Sequence, residues 1–190
     1  MAEEQSCHQS EGGDKRIIAW HEAAHVVIGH LLKLRLARVE ITENPQSKNW
    51  KGRAVFEPGD RVAHAVQLKA GAEAELLLGD PNPAERTLRA GGDGDVVETI
   101  CKKLGLDPDS EARSFHLMAE ARAFVLLQRK DVEQAIRALA DALEKELKLT
   151  GDEAIAIIDP LLEEEAEAFD VGTLRGDESV QEYLRRLQTE

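Results

Sequence analysis

No stretch of this 190-residue chain is apolar for long enough to cross a bilayer, since none approaches the roughly 20 residues required. Residues 1–14 are polar and acidic and hold no apolar core of a secretory signal, so no signal peptide is expected. Cysteine is scarce. Cys7 and Cys101 stand too far apart in sequence to suggest a disulfide framework, and a reducing cytoplasm is the expected compartment. Basic residues are outnumbered, 24 against 37 acidic, leaving a net charge of -13. That balance argues against nucleic acid and against anionic membranes as partners. There are no internal repeats. What is present, 42% hydrophobic and 32% charged residues, is ordinary for a globular protein with room for one real core.

Periodicity predicts a mainly α domain with one small β-hairpin. Residues 1–14 read as a flexible leader, with Asp14 placed to cap the helix that follows. From Lys15 to about Leu34 apolar residues recur at helical spacing. Val39 and Ile41 then alternate with Arg38 and Glu40 as a short strand, and residues 53–57 read as its hairpin partner. Residues 61–78 are helical again, ended by Gly79-Asp80-Pro81. A loop carrying the glycine-rich run 91–95 leads into a helix that stops at Gly105. Two further helices are expected over 111–130 and 131–148, the second with an apolar stripe of Val132, Ile136, Leu139, Leu143 and Leu147. Thr150 with Glu153 fits a capping box for a last short helix through Ile158. The expected organisation is leader 1–14, domain 15–160 and an acidic segment 161–190.

The pentad His21-Glu22-Ala23-Ala24-His25 reads as HExxH within the first helix. Residues four apart share a helix face, so both imidazoles can reach one metal ion. Glu22 lies one step round, where it can handle the proton of an attacking water. Catalytic zinc takes three protein ligands and keeps one position open, so a third ligand must come from elsewhere. His30, five residues past His25, points away from that face. The remaining candidates are His64, Glu73, Glu75, Asp93, Asp95 and His116. Asp95 is attractive because it follows a glycine-rich loop at an expected helix start, and a carboxylate is an acceptable zinc donor. The competing reading is that Asp93 and Asp95 cap that helix. For Glu75 the choice lies between orienting a zinc ligand and sitting on a solvated helix face.

Four segments, in order, resemble the protease domain of the FtsH family of ATP-dependent zinc metalloproteases. They are the pentad with Val26-Val27, the hairpin Val39-Glu40-Ile41-Thr42 with Gly52-Arg53-Ala54-Val55-Phe56, the stretch Ala70-Gly71-Ala72-Glu73-Ala74-Glu75, and Gly91-Gly92-Asp93-Gly94-Asp95. The resemblance covers residues 15–160. It implies a helical zincin-like peptidase fold, a zinc shell of His21, His25 and Asp95, and Glu22 as catalytic base. Ala24 and Ala72 depart from the family's glycine and arginine. The chain carries no Walker A sequence and no membrane segment, so a stand-alone peptidase domain is expected.

The expected activity is zinc-dependent endopeptidase cleavage of unfolded proteins or peptides. A separate ATPase chain is a further expected partner if folded substrates are to be opened. The first hairpin strand could offer an edge to an extended peptide. The alternative function is a non-catalytic binding or regulatory module that keeps the zinc for structure.

Overall fold

The computed structural model describes residues 10–78 and 83–162. The chain is mainly helical, with a small antiparallel sheet. In order the elements are β1 (Ser10–Gly13), α1 (Lys15–Leu31), β2 (Leu36–Glu43), β3 (Trp50–Phe56), α2 (Arg61–Leu78), α3 (Pro83–Leu104), α4 (Glu111–Leu127), α5 (Lys130–Glu146), β4 (Lys148–Thr150) and α6 (Gly151–Ile158). A 3-10 turn follows at Asp159–Leu161. Most of the expected leader, residues 1–9, and the acidic segment from 163 onward lie outside the described residues.

Helix α1 starts where the Asp14 carboxylate accepts the Arg16 N–H at 3.1 Å. From Ile18 to Gly29 every residue of α1 is buried. A helix buried all round belongs at the centre of a fold, and α1 packs against α2, α5 and the β2–β3 hairpin. The pentad is thereby carried on the buried stretch of α1.

The hairpin forms with the expected alternation. Val39 and Ile41 pair with Ala54 and Gly52, and all four are buried beneath the sheet. The sheet, however, has four strands in the order β1-β3-β2-β4, not two. Strand β1 forms within the expected leader, and β4 forms where the periodicity extends α5. Strands of three or four residues are too short for alternation to reveal. Helix α5 instead ends at Leu147, whose φ of 63° is left-handed. That residue leaves the apolar stripe and turns the chain onto β2, where its carbonyl accepts the Ile41 N–H at 2.8 Å. Strand β2 is paired on both sides, so the first hairpin strand does not have the free edge expected of it.

Helix α2 keeps its expected span, but α3 does not. Residues 91–95 are helical, not a loop. Each glycine in a helix interior costs about 1 kcal/mol relative to alanine, and tertiary packing outweighs this. Asp93, Val97, Ile100 and Cys101 recur at helical spacing and are all buried. Gly105 ends the helical stretch with a φ of 70°. The Thr150–Glu153 capping box is present in full at the start of α6. Among the described residues no helix is long and apolar enough to cross a membrane.

Candidate metal centre

Two helices supply the centre and a third holds it in place. On α1, His21 and His25 stand with ring centroids 4.6 Å apart and planes at 82°. Asp93 reaches them from α3: its Oδ2 lies 3.2 Å from His21 Nε2 and 3.3 Å from His25 Nε2. The other nitrogen of each ring is spent on α2. His21 Nδ1 donates to Glu75 Oε1 at 2.6 Å, and His25 Nδ1 donates to the Gln67 carbonyl at 2.8 Å. Trp20 Nε1 adds a bond to the Ala74 carbonyl at 2.9 Å, fixing α1 against α2. His21, Glu22, His25, Glu75 and Asp93 are each no more than 3% exposed.

Two glycines make this approach feasible. A Cβ on Gly71 of α2 would overlap the His21 ring, and a Cβ on Gly52 of β3 would overlap the Glu22 carboxylate. The backbones of α2 and β3 therefore lie directly against the ligand and the neighbouring acid.

The hydrogen-bond roles decide what the centre can hold. A carbonyl and a carboxylate only accept, so both Nδ1 atoms carry protons. In neutral rings both Nε2 lone pairs then face a carboxylate oxygen. Two arrangements relieve that repulsion: a second proton on each ring, or a cation shared by the three atoms. Burial opposes a charged His21, but hydrogen bonds to Asp93 and Glu75, with the charges of Asp93 and Glu22, push its pKa up to about 10. Burial would raise Asp93, but the charge of His25 and bonds from both rings hold it down to about 2. Three carboxylates, from Glu22, Glu75 and Asp93, surround two imidazoles in a region of low dielectric. Such an excess of buried negative charge favours a cation. Asp93 Oδ1 is also buried and meets no hydrogen-bond donor among the described residues.

The residues present thus fit a metal ion. The ligand atoms of His21, His25 and Asp93 all lie within 4.8 Å of one another, and this buried group could hold one. Each ring has its other nitrogen anchored, as is usual for metal-binding histidines.

No model of a known protein family matches this chain, and no curated protein is similar to it in sequence. The site therefore rests on its own geometry.

The structure brings together His21 and His25, with Glu22 beside them, but it replaces Asp95 with Asp93. Asp95 is exposed on the far side of α3. Two residues along a helix amount to a turn of about 200°, so once the glycine-rich run is helical only one of the two aspartates can face α1. Glu75 is a buried partner of His21 and not a solvated glutamate. One signal for it was available: His64, Leu68, Gly71 and Glu75 continue one buried stripe of α2 at helical spacing. The Gln67 carbonyl is a backbone group, and no side-chain pattern announces it. Among the other candidates, His64 is buried near Phe56, with ring centroids 6.2 Å apart. His30 points away as expected and meets Asp159 at 3.0 Å. Glu73 and His116 are partly exposed and outside the group.

Proposed function

We propose that this chain is a zinc-dependent endopeptidase acting on unfolded proteins or peptides, with a peptidase domain of the FtsH type. The observation that carries the reading is the convergence of His21 Nε2, His25 Nε2 and Asp93 Oδ2 beside the carboxylate of Glu22. Two imidazoles and one carboxylate are a donor set found in catalytic zinc sites. His21, His25 and Asp93 would hold the ion. When bound, zinc supplies Lewis acidity, which polarises a scissile carbonyl and acidifies water.

The remaining work falls to the chain's own groups. Glu75 and the Gln67 carbonyl keep each Nδ1–H occupied, so that both Nε2 lone pairs stay turned inward. Glu22 takes a proton from the attacking water on its carboxylate and passes it to the departing amine. Gly52 allows β3 to run against that carboxylate, which places a peptide-like backbone next to the acid. A separate ATPase chain would deliver folded substrates.

Glu22→Gln tests the reading: zinc content stays at one ion per chain and cleavage of a denatured casein is lost. Cleavage unchanged in that variant refutes it. The near-complete burial of the centre favours a second reading, a non-catalytic module in which the ion serves structure. In that case neither the wild type nor the Glu22→Gln variant cleaves, with or without a chelator.

A further inference from the structure

Strand β1 occupies a specific place. It pairs antiparallel with β3 in the register Ser10↔Gly52, Glu11↔Lys51 and Gly13↔Trp50, with an irregularity between Glu11 and Gly13. Gly52 is the residue whose backbone lies against the Glu22 carboxylate. Strand β1 also packs on α3, the helix that delivers Asp93. The strand thus touches both elements that bring Glu22's neighbour and the third candidate ligand to the centre. With β1 in place, His21, Glu22, His25 and Asp93 are at most 3% exposed. A peptide substrate cannot reach groups that water scarcely touches.

Two further observations concern how β1 is held. It has four residues and lies at the edge of the sheet. Only Asp14 separates it from α1, so its release breaks its ladder with β3 and its packing on α3 and α1 and requires no other break in the chain. What it covers is the outer backbone edge of β3, and the ligand class that pairs with such an edge is an extended peptide.

We propose that β1 is a resident occupant of the peptide-binding edge of β3, and that the centre opens when an extended peptide, running antiparallel to β3, takes its place. This rests on the peptidase reading for its purpose, though not for its test. While β1 sits on the edge, the apparent affinity for an added peptide falls by the fraction of chains in which the edge is free.

Two full-length variants provide the test. Successive residues of a strand turn their amides alternately toward and away from a neighbour. Ser10→Pro with Glu11→Pro therefore removes a ladder donor whichever amide faces β3. Glu11→Cys with Lys51→Cys, in a Cys7→Ser background, locks the opposed pair when oxidised. Binding of a fluorescein-labelled unstructured casein peptide is followed by anisotropy, and casein cleavage is followed with zinc present. The proline variant is expected to bind about tenfold more tightly than wild type and to cleave faster. The oxidised variant is expected to lose both, and a phosphine reductant is expected to restore wild-type behaviour.

Equal binding by the locked and wild-type chains overturns the proposal. So does failure of the crosslink to form in folded protein, which contradicts the pairing itself. If the proline variant unfolds, the locked form still decides. Tighter binding by the released form with no cleavage by any form keeps the proposal and removes the peptidase reading. Glu22-dependent cleavage that is indifferent to the lock does the reverse.

Discussion

Replacing Glu75 by glutamine removes one charge from the centre while keeping its shape. In the wild type the Glu75 carboxylate accepts from His21 Nδ1 at 2.6 Å, with the two side chains 0% and 1% exposed. The substituted amide still presents an oxygen to the same N–H, so the ring keeps its tautomer and direction. What changes is the strength of the bond. Hydrogen bonds to charged groups contribute about 1.5–3 kcal/mol and neutral ones about 0.5–1.5. The difference, about 1–1.5 kcal/mol, corresponds to roughly a tenfold loss of zinc affinity. That lies at the lower end of the 10–100-fold range of about 1.4–2.8 kcal/mol typical for groups that orient metal ligands. The assay is competition for zinc against a chromophoric chelator at fixed pH and salt. Affinity in Glu75→Gln within twofold of wild type would refute the argument that Glu75 governs His21. Absence of zinc binding in the wild type would remove the metal centre altogether.

The two aspartates of α3 separate in the same titration. Asp93→Ala removes the carboxylate between the rings and abolishes stoichiometric zinc binding, while Asp95→Ala on the exposed face leaves it unchanged; the opposite pattern would mean that α3 is rotated. His64 sets an acid dependence of its own. Burial lowers its pKa, partly opposed by its hydrogen bond to the Glu57 backbone and by the charge of Asp60. A lowered folded-state value means the unfolded chain takes up the proton first. Stability is therefore present above about pH 6.5 and is lost as pH falls through the folded-state value. Urea midpoints between pH 7 and pH 5 are expected to fall less in His64→Leu than in wild type, and equal slopes would contradict the burial argument.

Much of this arrangement was legible because it depends on periodicity. The buried run of α1, the Arg61–Leu78 helix and the Thr150–Glu153 box all follow from spacing and local hydrogen bonding, and all are present. Two sorts of feature were not legible. Strands β1 and β4 are defined by the strands they meet, not by their own composition, and a left-handed Leu147 gives no warning in sequence. The choice between Asp93 and Asp95 turned on whether 91–95 is loop or helix. Three glycines in that run argued for a loop. The packing of Val97, Ile100 and Cys101 beyond it carried the helix through, and that continuity selected Asp93.

Asp93, the third candidate ligand, comes from a distant part of the chain. His21 and Asp93 are 72 residues apart in sequence. An ion gripping both would close that span like a crosslink present only in the folded state, adding its binding free energy to that state alone. Helix α3 packs mainly on α2 and β1, so such an ion would add a tie from α3 to α1 that packing alone does not supply, and chelation is expected to lower the melting temperature.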